Sequence, residues 1–385
     1  MKIVIAPDSF KGSLSSTVVC DIIEGAILKK MPTTKIIKIP VSDGGEGLVN
    51  TLFKHHSDGE MIKIPVKDPL FRAIIAEYGI INEKVAVIEM AAASGLTLLT
   101  PDELNPLLTT TYGTGEMIFD AVVNHGCEKI ILGLGGSATN DGGLGLVSAL
   151  GVRFFDQNEQ LLIPNGENLK QVVSIDTSQM NPALSKVEII IACDVENVLC
   201  GKNGAAAIYG PQKGANDRTI DLLDQGLYYF GQLLEKQTGM DLINLKGIGA
   251  AGGTALPLVA LLKAKLNSGL EIVLDEIQFD ARIDGADLII TGEGKTDGQS
   301  VMGKVISGIG NRGKNQNIPV IVVSGALDTG YESIYDHGIV AAFSLFNNNN
   351  GLIWHMENAA QLLEDVIHNL FCFLAAICMM PQKSR

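Results

Sequence analysis

The sequence predicts an α/β fold organised as two domains, and three observations carry that expectation. Runs rich in Val and Ile recur as KIVIAP, KIIKIPV, VAVIEMA, KIILGLG, VEIIIACDV, DLIITGEG and PVIVVSGA, separated by helical or loop stretches. Such alternation marks largely parallel, buried strands joined by crossovers. The chain has 385 residues, whereas a single core stops growing at roughly 250 to 300. Finally, several runs open into loops drawn from the 43 glycines, and open α/β sheets bind their ligands beyond the C-terminal ends of the strands.

The first crossover is legible in detail. Leu14, Val18, Ile22 and Ala26 recur every four residues, and Ser13 or Ser15 stands where an N-cap belongs, which predicts a helix from about Ser15 to Lys30. No Pro- or Ser-rich linker divides the chain, so one domain is expected to be inserted in the other. Residues 1–68 plus 283–385 then form the discontinuous domain and 69–282 the inserted one, with crossings near Pro65 to Phe71 and Phe279 to Gly285. The run Asn347 to Asn350 predicts an exposed loop before a last helix whose apolar face is Ala359, Leu362, Leu363, Val366 and Leu370. The following LFCFLAAICMM is about half as long as a bilayer span, which favours a buried terminal helix.

Composition narrows the function. Lys and Arg total 29 against 43 Asp and Glu, a net charge of -14. That balance argues against a broad nucleic-acid or anionic-membrane surface. A small anionic substrate must then be met by local amides, lysines and metal. The six cysteines form no CxxC pair and have no zinc-like spacing to the six histidines, so they read as thiols in a reducing compartment. The N-terminal MKIVIAPDSFKGS reads as a first strand and not as a signal peptide, which makes the cytoplasm the expected location.

The chemistry is expected in the strand-end loops. In Ala6 to Ser15, the residues Asp8, Ser9 and Lys11 sit between a strand and a helix start, where amides and the helix dipole favour an anion. The alternative is a capping loop with a solvated Lys. Pro40 to Gly47 sets Asp43 and Glu46 among glycines, which suits metal or hydroxyl binding or an ordinary acidic turn. In Gly133 to Gly143, Gly135, Gly136, Ser137 and Thr139 give a loop whose amides can approach phosphate oxygens, and Asn140 and Asp141 offer oxygen ligands. No Lys follows those glycines, so this is not the GxxxxGK[ST] loop.

Asp194 ends the apolar run VEIIIAC, where a carboxylate can accept a hydroxyl proton, hold a metal or cap a turn. Lys213 lies in a Gly/Pro loop suited to an anion, the alternative being an ordinary exposed Lys. The richest stretch is Asp287 to Ser300, where Gly292, Glu293, Gly294, Lys295, Thr296 and Asp297 combine close backbone, a cation and two carboxylates; Lys304 follows. No GxSxG elbow occurs, no histidine falls in these loops, and GxGxxG does not follow the first strand. Phosphoryl transfer needs little beyond what remains, because it rests on positioning and charge neutralisation with one carboxylate for the nucleophile.

The ordered set APDSFKGSLS, PVSDGGEG, YGTGE, GLGGSATNDGG, CDVENVLCG, GPQKGA, GAAGG and ADLIITGEGKTDGQS closely resembles the bacterial type I glycerate kinases, from Met1 to about Leu370. The resemblance implies a two-domain α/β enzyme, one domain with a flavodoxin-like or Rossmann-like parallel sheet. It further implies ATP and Mg2+ as cofactors, D-glycerate as substrate, 2-phosphoglycerate as product and a place in glyoxylate or glucarate metabolism. Placed on the matched positions, Asp194 orients or deprotonates the glycerate hydroxyl, and Lys11 and Lys295 neutralise phosphate or carboxylate charge. Glu293 and Asp297 are the metal candidates. Asp8, Ser9, Asp43, Gly135, Gly136, Ser137, Thr139, Lys213, Gly292 and Gly294 are expected to bind substrate or phosphate. A kinase making 3-phosphoglycerate, or a magnesium-dependent lyase or phosphatase acting on a small phosphorylated acid, stays open as the rival. The expected partners are ATP and D-glycerate, with no nucleic acid and no membrane; a homo-oligomer stays open.

Overall fold

In a computed structural model, the described residues are 1–41, 48–53, 55–56, 58–298, 300, 304–346 and 349–378, the side chains of 377–378 excepted. The chain forms two compact units: Met1–Asp43 together with Leu270–Arg385, and Gly44–Gly269. Each has its own sheet.

The first unit carries a five-stranded sheet in the order Ile339–Ser344, Val320–Ser324, Leu288–Thr291, Lys2–Ile5, Lys35–Lys38, with every pairing parallel. Ile3, Val4 and Ile5 are completely buried, as a central strand covered on both faces requires. This is the flavodoxin-like order, in which the chain winds away from its first strand in both directions.

The helix Ser16–Lys30 follows the first strand, with the Ser15 hydroxyl accepting from the Val18 N–H at 3.4 Å. Its buried face is Val19, Cys20, Ile23, Ala26 and Ile27, while Val18 is 41% exposed. The sequence offers Val18 beside Val19 and Ile22 beside Ile23, so a four-residue repeat does not choose between two adjacent stripes. Packing chose the second. That stripe shares a core with Leu363, Ile367 and Phe371 of the terminal helix Ala359–Cys378.

The expected buried terminal helix is buried on one face only. Ala359–Ala376 is long and apolar enough to cross a membrane by length and composition, and 28% of it is buried. Ala359, Leu362 and Leu363 are buried as the pattern reads, Val366 and Leu370 only partly. A short helix, Leu352–Glu357, precedes it; of the Asn run, Asn347 and Asn348 lie outside the described residues.

The second unit carries a six-stranded sheet in the order Lys265–Asn267, Glu188–Ala192, Lys129–Gly133, Val85–Glu89, Ala73–Ile81, Glu60–Lys67. The first four are parallel to one another and the last two are antiparallel. Its core joins Ile88, Leu132 and Ile191 from the sheet to Met117, Leu146 and Phe230 from the helices. The longest helix, Asp217–Thr238, is bounded by side-chain chemistry at both ends: Asn216 accepts from the Thr219 N–H at 2.9 Å, and Gly239 takes a φ of 74°.

The units change over at Asp43/Gly44 and Gly269/Leu270, away from the Pro65 to Phe71 and Phe279 to Gly285 segments. Glu60–Lys67 and Ala73–Ile81 pair along their length from Glu60 opposite Ile80 to Lys67 opposite Ala73. The intervening turn is closed by Asp68, whose carboxylate accepts the N–H groups of Leu70 and Arg72, each at 2.8 Å. Pro65 is tolerated because its strand is the sheet edge. A segment with turn residues was therefore a hairpin inside one unit.

Candidate active site

The sequence-predicted residues fall into two groups, one in each unit. In the first unit the order of strands reverses between Lys2–Ile5 and Leu288–Thr291, and the crevice outside such a reversal is where open α/β sheets take ligands. The loops following those two strands meet there. Asp8 donates its N–H to the Gly292 carbonyl at 2.9 Å, and the Asp8 carboxylate accepts from the Ser9 N–H at 2.6 Å. A cleft of about 500 Å³ is bordered by Asp8, Ser9, Lys11, Glu293, Lys295, Asp297 and Lys304.

Gly292 and Gly294 are there for close approach. A Cβ on Gly292 would lie 1.8 Å from the Val323 carbonyl oxygen, and one on Gly294 3.1 Å from the Lys11 nitrogen. The Glu293 carboxylate accepts from the Ser300 hydroxyl, which also receives the Asp297 N–H at 3.1 Å. Burial raises the Glu293 pKa above the ordinary value of 4.5 and the Asp8 charge adds to this, while Ser300 and Lys304 oppose it. Lys295 is 56% exposed and pairs with Asp328 at 2.7 Å and Asp297 at 3.5 Å. Its hydrogen bond to Asp328 holds its pKa above the usual value.

These residues fit a hard divalent cation. Mg2+ is ordinarily bound by one or two carboxylates with the remaining positions left to phosphate oxygens and water. Asp8 and Glu293 supply two carboxylates on one cleft whose mutual repulsion a cation relieves. No group of three or more His, Cys, Asp or Glu positioned for a metal occurs among the described residues. Asp297 lies on the same cleft, turned partly to Lys295. Asp43, and Glu46 beside it, lie outside the described residues.

In the second unit the Gly133–Gly143 loop leaves the central strand Lys129–Gly133 and is stitched to the preceding strand's loop. Met90 donates to the Gly133 carbonyl at 3.0 Å, Leu96 to that of Gly136 at 2.9 Å, and Ala138 to that of Ser94 at 2.9 Å. Gly136 has a φ of 71°, which only glycine adopts freely. A pocket of about 260 Å³ opens above the loop, bordered by Gly135, Gly136, Ser137, Asp194, Tyr209 and Lys213.

Lys213 is 1% exposed. Its ammonium donates to the Thr139 carbonyl at 2.6 Å and to the Ser137 hydroxyl at 2.8 Å. Burial brings its pKa from 10.5 down to about 7, with the charge of Asp141 working in the opposite direction. The Lys is presented by the turn Pro211–Lys213, closed by Gly214 at a φ of 91°, where a Cβ would lie 2.3 Å from the Leu104 carbonyl oxygen. An exposed Lys reading is thereby corrected: Lys213 is built into the floor of the pocket.

Asp194 lies two residues beyond the strand Glu188–Ala192 with its Oδ1 accepting the Gly269 N–H at 2.9 Å, and it is exposed at the pocket. Thr139 contributes its carbonyl to Lys213, while its buried hydroxyl and the Asn140 amide find no hydrogen-bond partner among the described residues. Asp141 is an anchor and not an open ligand. Its carboxylate accepts from the Thr111 N–H and hydroxyl, both at 2.8 Å, and from the N–H groups of Gly143 and Gly145, both at 3.1 Å. Burial raises its pKa and these donors pull it down.

Sequence reasoning missed Ser300, Asp328 and Tyr209. Ser300 closes the very stretch read as richest, and its i to i+3 relation to Asp297 is a turn signal that could have found it. Tyr209, whose hydroxyl donates to Asn197 at 2.7 Å, carries no local signal.

Known proteins match this chain along nearly its whole length. A Bacillus cereus protein named glycerate kinase is 44% identical over 378 residues, covering 98% of this chain and 98% of that protein. The Escherichia coli K12 protein named glycerate 2-kinase is 42% identical over 349 residues, covering 90% of this chain and 91% of its own. A crystal structure from Salmonella typhimurium LT2, provisionally named glycerate kinase 2, superposes with a TM-score of 0.84 at 41% identity, covering 99% of this chain and 100% of that one. Because the model of the glycerate kinase family also matches residues 3–375, the chain belongs to that family.

Proposed function

We propose that this chain transfers the γ-phosphoryl group of ATP, with Mg2+, to the 2-hydroxyl of D-glycerate, releasing ADP and 2-phosphoglycerate. The observation that carries the reading is the second unit's pocket, where the exposed carboxylate of Asp194 borders the same space as the Gly135–Ser137 loop and Lys213. At about 260 Å³ it is smaller than the ~300–1,000 Å³ of pockets that hold drug-sized ligands, which suits a three-carbon acid.

In this reading the Asp194 carboxylate takes the proton of the glycerate hydroxyl as that oxygen attacks phosphorus and the bond to ADP breaks. Its hydrogen bond from Gly269 at 2.9 Å fixes the carboxylate orientation. Lys213 and the loop amides receive anionic oxygens. Within the first unit's own cleft, Asp8 and Glu293 would hold Mg2+, which would neutralise phosphate charge, and Lys11 and Lys295 would add positive charge there. The enzyme's partners are then small molecules, and its place is the cytoplasm.

The test is ADP release by purified protein given ATP, Mg2+ and D-glycerate, with the phosphoglycerate isomer identified by NMR. Turnover to 2-phosphoglycerate is expected. A 3-phosphoglycerate product keeps the kinase and overturns the regiochemistry. Folded protein that releases phosphate from an ester and ignores ATP belongs to the lyase or phosphatase class instead.

A further inference from the structure

We infer that the nucleoside of ATP occupies a second cavity of the Gly44–Gly269 unit, on the far side of the glycine loop from Asp194 and Lys213; the inference rests on the kinase reading above. This cavity, of about 520 Å³, falls within the size range of pockets for drug-sized ligands. The two cavities share three bordering residues, Gly133, Gly135 and Gly136. None of the three shared residues carries a side chain. A Cβ on Gly135 would meet nothing within 4 Å.

The lining selects what can bind. Met61, Ala91, Ala92 and Leu96 give apolar wall, and among the described residues no Lys, Arg or His borders the space. Glu77 and Glu89 do border it, and carboxylate oxygens on the lining are hydrogen-bond acceptors suited to the hydroxyls of an uncharged sugar. Glu77 is exposed and pairs with Lys63 at 3.5 Å, which places it at the rim. Glu89 is half-buried at the end of its strand, directly opposite Gly133 in the parallel register. A carboxylate at a strand end beside a glycine loop is placed to accept hydroxyl protons of a ribose, as it does in dinucleotide-binding sheets. The first unit's cleft differs in kind: Lys11, Lys295 and Lys304 all border it, which suits phosphates.

The loop and the cavity wall are one piece. Leu96 donates to the Gly136 carbonyl and Ser94 accepts from Ala138, both at 2.9 Å. A nucleoside seated against Ala92 and Leu96 thus sets the position of a phosphate chain crossing Gly135.

The experiment uses Glu89→Gln and Ala92→Phe in the full chain, with ADP and 2′,3′-dideoxy-ADP titrated by calorimetry and steady-state KM measured for ATP and D-glycerate. Glu89→Gln should weaken ADP about tenfold, the effect of one lost charge-assisted hydrogen bond, while leaving the dideoxy analogue unchanged. Ala92→Phe, by filling the cavity, should raise KM for ATP about tenfold or more and leave that for D-glycerate within about twofold. Wild-type ADP affinity in a folded Glu89→Gln, with its ribose discrimination intact and ATP turnover normal, removes the nucleoside from this cavity and leaves the kinase standing. A wild-type protein that neither turns over ATP nor binds ADP overturns both.

Discussion

Lys213 reaches Ser137 through a 2.8 Å hydrogen bond across 76 residues of sequence. A buried ammonium therefore holds the glycine loop from below, and its protonation is coupled to the loop's geometry. In the folded chain its pKa is about 7 against an ordinary 10.5, so between those values the unfolded chain binds more protons and stability rises with pH. Below about 7 the full penalty of the buried charge is present. Lys213→Met should flatten the rise in urea midpoint between pH 7 and 9, and lower kcat/KM for D-glycerate about tenfold or more by freeing Ser137. A pH dependence of stability equal to wild type would show that another group sets it.

Asp194→Asn removes a proton acceptor and preserves shape. The amide oxygen can still accept the Gly269 N–H, so thermal stability should stay close to wild type. The kcat is expected to fall about 10²-fold or more, with KM little altered. Near-normal turnover by the folded variant takes Asp194 out of the proton-transfer role.

Glu293→Gln separates stability from function. The carboxyl is half-buried, feels the charge of Asp8, and has a raised pKa, so above that pKa the charged form is penalised in the folded chain and stability falls as pH climbs through the interval above 4.5. Replacing it should raise Tm at pH 7 in EDTA by about 1 °C, which is about 1 kcal/mol for a chain of this size, while the Mg2+ concentration for half-maximal turnover increases about tenfold or more. Unchanged Mg2+ dependence places the metal elsewhere.

Two glycines should behave oppositely. Gly292→Ala drives a methyl to within 1.8 Å of the Val323 carbonyl oxygen and is expected to cost about 3 kcal/mol or more in a denaturant titration. Gly135→Ala meets nothing within 4 Å and should change stability by less than about 0.5 kcal/mol. Its effect belongs to catalysis, as a higher KM for ATP. If Gly135→Ala proves as unstable as Gly292→Ala, the loop is a folding element and not a phosphate path.

What could be read beforehand follows from how local each signal is. The apolar runs at Lys2–Ile5, Lys129–Gly133, Glu188–Ala192 and Val320–Ser324 are strands because both faces are covered. Lys265–Asn267 is three residues long, too short for any period to register. The edge strand Glu60–Lys67 alternates and contains a proline, so it looked like a crossing. Loop residues were legible by type. Their neighbours were not: the burial of Lys213 depends on Ser137 and Thr139, and the four donors on Asp141 come from Thr111, Gly143 and Gly145. Only the folded chain brings those segments together.

The discontinuity of the first unit has a consequence for synthesis on the ribosome. Lys2–Ile5 pairs with Leu288–Thr291, and the helix Ser16–Lys30 shares its core with Ala359–Cys378. The opening segment emerges first and completes its sheet last. At 5–20 residues per second, it waits roughly ten to forty-five seconds while Gly44–Gly269 is made. Throughout that interval Ile3, Ile5, Val19 and Ile23 lack their eventual cover, so nascent-chain aggregation and chaperone capture should concentrate on those first residues.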